Sequence, residues 1–580
     1  MFRRTPRRAA LALAAVAFLS AGLVTLPTPA SADDVPVQDD HSHDDDGDSH
    51  DHGGQVSLPK LDWQPCGKVG ALCTSAKVPL DYSDPDGAAI TLSLSKRAAD
   101  DQEHKIGSLF FDNGGPGGPN VPSVRDDPKP FTTELRNKFD IIAIDPRGVG
   151  ESSPIRCFDS QEEQAAFNES GGLGLPINAE EEAVFAKYSA EYGQRCAAKA
   201  GPLLSHITTT NVARDYDLIR QAVGDKKFSY IGFSYGTYLG AVYANLFPDV
   251  IRGMALDGNL DPVQWSTGDA QTSRRPFTSR IQSGVGTQAT LNAFLQECDR
   301  VGVEKCPFAK DGPATKKFDA LLERLKKAPV TLIGQDGKEV TVTYASLTRL
   351  LLTVLYAPAN IWGTIGGALE NISANASAPA MAAGMAALQR LAEEATPFDD
   401  SFNAVACVDS TNPTDPKAWR KAADRDRKNI GPLAEPWVWD SLVCATWPVK
   451  DEAQYKGPWD NETSAPILVV NNLFDPATPY ETAVSLSHEL DDARLLTVTG
   501  YGHVSYGQST CSRNAIDRYL IEGALPPEGS ICDSDIKPFD PPPPSEEPAP
   551  AADPAPAPAP APPAPAPAPA PNPQLAKVTG

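Results

Sequence analysis

A serine hydroxyl is a poor nucleophile at neutral pH. It becomes hydrolytic only beside a base in hydrogen-bond reach and a third group that orients the base. One serine of this chain stands in a setting suited to that use. Gly232-Phe233-Ser234-Tyr235-Gly236 follows the apolar run FSYI and opens SYGTYLGAVYANLF, a helical pattern. A G-x-S-x-G at a strand-to-helix turn exposes the serine on a sharp bend, where larger side chains would clash. With such a turn, the partners follow in the order serine, acid, histidine. Beyond residue 455 only His488 and His503 remain. His488 sits inside the amphipathic stretch ETAVSLSHELDDA, whereas His503 sits in Gly500-Tyr501-Gly502-His503, just after the run RLLTVT. A loop at the C-terminal end of a strand faces the serine turn, so His503 is the expected base. The run PILVVNNLFD ends at Asp475 and leads into Pro476-Ala477-Thr478-Pro479, which makes Asp475 the expected orienting acid. Asp491 and Asp492 lie beyond the intervening helix and are worse placed. The plain alternatives are a surface histidine and a helix-capping aspartate.

Acyl transfer also needs donors for the developing oxyanion. Asn113-Gly114-Gly115-Pro116-Gly117-Gly118 follows the run GSLFFD, and its glycines allow close backbone approach. The expected donors are the N–H groups of Gly115 and Tyr235; Pro116 has none to offer. If the enzyme acts on free peptide termini, an anion should meet the substrate's ammonium. Asp409 and Asp257 are candidates on residue type alone.

These residues require a scaffold, and the chain alternates suitable elements. Short apolar runs at 107–112, 139–145, 228–233, 252–257, 466–473 and 494–499 read as strands buried on both faces. Helical patterns at 211–224 and 234–247 lie between them, which implies a parallel α/β sheet. Between 263 and 455 helical stretches dominate: QATLNAFLQECDRV, KKFDALLERLKKA, YASLTRLLLTVLY and MAAGMAALQRLAEEA. The simplest organisation is an α/β domain in two parts, 57–262 and 456–540, with a helical lid domain at 263–455 inserted between them.

The ends differ in character from this middle. Arg3, Arg4, Arg7 and Arg8 precede the apolar run Ala9–Val24 and the small-residue site Ala30-Ser31-Ala32, as in a cleaved export signal over 1–32. Residues 33–56 form an acidic arm containing His41, His43, His50 and His52; a solvated disordered arm is the expected reading, with weak metal binding as the rival. Residues 541–580 are Pro/Ala-rich, an extended spacer suited to cell-envelope association. The net charge of −24 argues against nucleic acid, whose phosphates need clustered Lys and Arg. No later segment is long and apolar enough to span a bilayer. The ten cysteines are Cys66, Cys73, Cys157, Cys196, Cys298, Cys306, Cys407, Cys444, Cys511 and Cys532. An even count in an exported chain reads as disulfides, and pairing each cysteine with the next would close local loops. No C-x-x-C spacing suggests a metal, and the chemistry needs no cofactor.

Taken together, NGGPGG (113–118), DPRGVGESSP (145–154), GFSYGTYLG (232–240), DPATP (475–479) and GHVSYG (502–507) resemble the secreted tripeptidyl aminopeptidases of actinobacteria. That family belongs with the prolyl aminopeptidase group of α/β-hydrolases. Cys407-Val408-Asp409 and Cys444-Ala445-Thr446-Trp447-Pro448 also look like the family's C-terminal half. The resemblance spans residues 60–535. It implies an α/β-hydrolase fold with a lid and a serine exopeptidase acting on free N-termini of peptides or proteins. Carried over by motif, Ser234 is the nucleophile, Asp475 the acid and His503 the base. This chain departs from the family's usual form at Pro119-Asn120, where Ser-Gly is common. A secreted carboxylesterase or lipase would use the same triad, and a non-catalytic envelope protein is the alternative from another class.

Overall fold

The computed structural model describes residues 56–540 apart from 68, 128, 130, 172–174, 334–338 and 375–399. The export signal, the arm up to residue 55, the Pro/Ala tail and the helical stretch at 381–395 lie outside the described residues.

The strands are β1 (Gln64–Cys66), β2 (Ala71–Pro79), β3 (Ala89–Arg97), β4 (Gly107–Asp112), β5 (Phe139–Ile144), β6 (Phe228–Phe233), β7 (Ile251–Asp257), β8 (Val330–Ile333), β9 (Glu339–Val342), β10 (Ile467–Phe474), β11 (Ala493–Tyr501) and β12 (Ile531–Asp533). Ten of them form one sheet in the order β1-β2-β3-β5-β4-β6-β7-β10-β11-β12. From β5 to β12 every neighbour runs parallel; β1, β2 and β3 add an antiparallel edge. All six apolar runs read from the sequence are parallel strands, and the antiparallel edge is an addition to that reading.

Period-two alternation divides the strand side chains between two layers. Phe110, Ile142, Tyr230, Met254 and Val469 point to one face, where Val212, Ile219, Leu239 and Val242 of the helices Thr209–Ala222 and Tyr235–Leu246 cover them. Leu109, Ile141, Ile231, Ala255 and Val470 point to the other, against Ile516 and Leu520 of the helix Thr510–Glu522. Both faces are therefore dry, which is why these strands read as unbroken apolar runs.

The chain leaves the sheet after β7 and re-enters at β10. Helices fill the interval, with β8 and β9 as a small separate hairpin. A second core forms there around Phe294, Trp362, Trp419 and Trp439. It also takes in Leu175, with Phe185 and Ala186 packed against it, and Phe539 from the far end of the chain. The first half of the helix Ala179–Ala200 thus serves this second core through Phe185 and Ala186, while Tyr192 and Cys196 farther along it join the sheet's core; Glu182 on it meets Arg420 at 2.5 Å. Residues 57–262 are accordingly not all committed to the sheet.

Five disulfides join each cysteine to the next: Cys66–Cys73, Cys157–Cys196, Cys298–Cys306, Cys407–Cys444 and Cys511–Cys532. They leave no free cysteine, as the local-loop argument expects. Among the described residues no helix is long and apolar enough to cross a membrane.

The DPRGVG turn after β5 is fastened from within. Arg147, fully buried, donates from Nε and Nη2 to the two Asp215 oxygens, each at 2.7 Å. It also donates to the carbonyls of Pro79, Leu80 and His206. Asp215 accepts a further hydrogen bond from Tyr82 Oη at 2.7 Å.

Candidate active site

In a parallel sheet the loops at the strands' C-terminal ends share one edge. The register sets Asp112 beside Gly232, Gly232 beside Leu256, Phe233 beside Asp257, and Asp257 beside Val470. The chain segments that follow β4, β6, β10 and β11 carry Gly115, Ser234, Asp475 and His503.

Ser234 has φ 56° and ψ −123°, a backbone state that L-residues other than glycine rarely adopt. Its N–H donates to Asp257 O at 3.1 Å, and its carbonyl accepts from Thr237. The flanking glycines are sterically required. A Cβ on Gly232 would lie 2.3 Å from Gly236 O, and one on Gly236 would lie 2.5 Å from Asp112 O. Tyr235 begins the helix, so its N–H has no intrahelical acceptor.

Asp475 is fully buried at the end of β10. Oδ1 accepts from the N–H groups of Ala477 and Thr478, both at 2.9 Å, and Oδ2 accepts from Val504 N–H at 3.2 Å. His503 Nδ1 lies 2.9 Å from both oxygens. An ionised carboxylate only accepts, so Nδ1 carries the proton and Nε2 is left as the basic nitrogen. Nε2 is buried and makes no hydrogen bond among the described residues. Burial alone would lower the His503 pKa, but the Asp475 charge and hydrogen bond, helped by Asp257, carry it above the ordinary 6.5. His488 lies exposed on the helix Tyr480–Glu489, and Asp491 and Asp492 sit past its end.

The glycine loop after β4 presses on the serine turn. A Cβ on Gly114 (φ +92°) would lie 2.5 Å from Phe233 O and 2.9 Å from Tyr235 N. The Gly114 N–H donates to Asp112 Oδ1 at 2.8 Å, and Asn120 holds Asp112 Oδ2 at 3.0 Å while accepting from Asn113 N–H at 2.9 Å. Burial pushes Asp112 up to about 6. The unusual Pro119-Asn120 thus has a definite place: the Asn120 amide ties both ends of the loop to β4. Gly115 lines the cavity in front of Ser234. Gly114→Ala is expected to lower kcat about 10²- to 10³-fold by displacing the backbone donors. The check is steady-state kinetics beside circular dichroism, and an unchanged kcat would mean that the loop does not position them.

Asp257 and Asp409, the candidates for a substrate ammonium on residue type, do not line the cavity before Ser234. Both are buried and satisfied internally. Asp257 accepts from Ser505 N–H and Oγ and from Tyr506 N–H, bracing the loop that carries His503. Asp409 accepts from Thr209 N–H at 2.9 Å and Thr209 Oγ1 at 2.5 Å; Thr209 Oγ1 in turn meets Tyr235 Oη. Burial pushes both acids up to about 7. Sequence reasoning also missed the asparagines Asn471 and Asn472 on β10. Their amides donate to the carbonyls of Thr478, Gly502 and Val504 and so align the acid and histidine loops.

The helical excursion roofs the site. His503 N–H donates to Tyr356 O at 2.9 Å, and the Tyr356 ring stands edge-on to the imidazole at 5.2 Å between centroids. Beneath lies a cavity of about 410 Å³. Gly115, Ser234 and Thr478 line its floor side, and Trp265, Tyr356 and Trp437 are among its aromatic walls.

Comparison with known proteins agrees with this geometry. Residues 111–279 match the family described as alpha/beta hydrolase fold, and residues 432–532 match the family described as TAP-like protein. Serine protease Hip1 of Mycobacterium tuberculosis is 30% identical over 513 residues, covering 83% of this chain and 93% of that protein. Tripeptidyl aminopeptidase of Streptomyces lividans is 28% identical over 546 residues, covering 89% and 97%. Carboxylesterase B of Mycobacterium tuberculosis is 29% identical over 565 residues, covering 92% and 99%. A serine-bearing strand-to-helix turn, a roofed cavity before it and relatives of this kind along most of the chain lead to one assignment: the protein belongs to the TAP-like family of α/β-hydrolases and is a serine hydrolase of the peptidase type.

Proposed function

We propose that the protein is a secreted exopeptidase that releases short peptides, tripeptides foremost, from free N-termini through an acyl-enzyme on Ser234. The observation that carries this reading is a histidine oriented by a buried carboxylate on the same sheet edge as Ser234, beside a cavity lined in part by the helical excursion. His503 Nε2 takes the Ser234 proton as Oγ attacks the scissile carbonyl. The N–H groups of Gly115 and Tyr235 receive the oxyanion. His503 then returns the proton to the leaving amine, and water, activated by the same nitrogen, releases the acyl group. Asp475 holds the tautomer and stabilises the imidazolium. The roof supports the exo mode, because a cavity of about 410 Å³ beneath it suits the end of a peptide better than the middle of a long chain. The five disulfides fit an oxidising, extracytoplasmic setting, and the Pro/Ala tail suits attachment to the envelope.

The test is a matched panel of aminoacyl, dipeptidyl and tripeptidyl anilides, each free and N-acetylated, with a short-chain ester. Activity confined to free termini and greatest for one length supports the exopeptidase. The carboxylesterase among the relatives favours a second reading, and equal turnover of ester and capped substrates would install it instead.

The base must be neutral to accept a proton. With the His503 pKa raised, activity is expected to be lost as pH falls, with its midpoint above 6.5. The rate of inactivation by a serine-directed phosphonate against pH measures this without an ionising substrate. A midpoint below 6.5 would contradict the Asp475–His503 arrangement.

A further inference from the structure

The cavity before Ser234 is walled mostly by aromatic and aliphatic side chains, yet it contains one charged pair. Among the described residues that line it, only Arg349 and Asp440 carry charge. Arg349 lies on the helix Tyr344–Val354 and Asp440 ends the helix Ala434–Asp440, so both belong to the roof and neither to the sheet. Arg349 Nη2 donates to Asp440 Oδ1 at 2.5 Å. Asp440 Oδ2 accepts no hydrogen bond among the described residues, and the Asp440 side chain keeps 28% of its surface exposed. It contrasts with Asp257 and Asp409, whose carboxylates are sealed in and fully employed.

We infer that Asp440 is the anchor for the substrate's α-ammonium group, held ready by Arg349. Three features favour a cation there over an anion. The open oxygen belongs to the carboxylate, while Arg349 spends a donor on it. The aromatic rings of Trp265, Phe277, Tyr356 and Trp437 line the same cavity, and ring faces attract cations. A primary ammonium brings three donors, one for Asp440 Oδ2 and two for other acceptors of the same cavity, whose lining includes the Asn403 side-chain carbonyl and the Thr353 hydroxyl. Arg349 acts as a positioning residue: it fixes the carboxylate rotamer and counters the burial that favours the neutral acid. A ligand ammonium held at Asp440 would fix the free terminus of the substrate within the cavity that Ser234 also lines. The number of residues between Asp440 and Ser234 is then the length of peptide removed.

This inference rests on the exopeptidase reading, and the experiment separates the two. Wild type, Asp440→Asn, Asp440→Ser and Asp440→Glu are compared on one tripeptidyl anilide, free and N-acetylated, with phosphonate labelling of Ser234 as the measure of an intact site. The expected result is that wild type prefers the free amine and that both neutral variants lose about 10- to 100-fold of that preference. The loss should appear chiefly in KM, at wild-type labelling rates, with the Glu variant restoring much of it. A wild type that prefers the free amine, with a neutral variant that labels normally and keeps the preference within threefold, would overturn the role of Asp440 and leave the exopeptidase standing. A wild type indifferent to acetylation would overturn both.

Discussion

Replacing Ser234 by alanine is expected to lower kcat by about 10⁶-fold, the largest single effect in this molecule, because the covalent route is removed whole. The fold should not change. Alanine keeps the Cβ, and Ser234 Oγ makes no hydrogen bond among the described residues that the substitution would break. Asp475→Asn should cost about 10⁴-fold. The amide would present N–H donors where Nδ1–H now points, turning the imidazole to the wrong tautomer. It would also disturb the acceptor shared by Ala477, Thr478 and Val504. Because serine, histidine and aspartate act as a unit, the double variant should be no slower than Ser234→Ala alone. Burst kinetics with an anilide or ester, beside thermal melts, reads both predictions. A Ser234→Ala protein retaining more than a thousandth of wild-type turnover would place the nucleophile elsewhere.

The largest effect on stability is expected far from the reacting atoms. Arg147→Met leaves Asp215 buried with Tyr82 as its remaining side-chain donor and strips a donor from three backbone carbonyls. Breaking a buried pair from one side costs about 3–5 kcal/mol, since the surviving charge is neither hydrated nor neutralised. Replacing both partners, Arg147→Met with Asp215→Leu, should recover part of this loss, because the orphaned charge goes with its partner. Denaturant midpoints of the single and double variants decide the matter. A single variant as stable as wild type would mean that water or a rearranged loop reaches Asp215.

The residues proposed to react could be picked from the sequence because each stands at punctuation. Ser234, Asp475 and His503 each follow an apolar run, and a buried parallel strand announces its own end. The cysteines were equally readable, since their spacing left short loops to close. Other features left no such mark. The antiparallel strands β2 and β3 carry Lys77, Ser93, Ser95 and Lys96 among their apolar positions, so they lack the unbroken run that revealed the parallel strands. The helix Ala179–Ala200 reads as amphipathic, but that its apolar residues are shared between two cores depends on how the chain travels between β5 and β6. The carboxylates were the hardest. Asp257, Asp409 and Asp440 are one residue type, and only their surroundings separate a brace, a buried acid and an open anion. Asp257 even occupies a strand end, the position that marked Asp475, yet it spends its oxygens on Ser505 and Tyr506. Asp440 sits in the helical excursion, where no strand end marks the site, and only the folded roof brings it into view.

The consecutive pairing of the cysteines bears on how the molecule is assembled. No bridge encloses another cysteine, the five spans being 7, 39, 8, 37 and 21 residues. In a chain delivered N-terminus first into oxidising surroundings, every newly arrived even-numbered cysteine finds a single unpaired thiol behind it. Order of arrival alone then selects one connectivity from the roughly 945 that ten cysteines permit, and no isomerase is required to correct it. Two bridges close before the helical excursion, two within it and one after it, so none links the separated halves of the sheet. Joining β7 to β10 therefore waits on diffusion across a gap of about 200 residues, without a covalent tether to shorten the search. No bridge therefore depends on the sheet edge that carries Ser234, Asp475 and His503, and each segment can be oxidised before that edge forms.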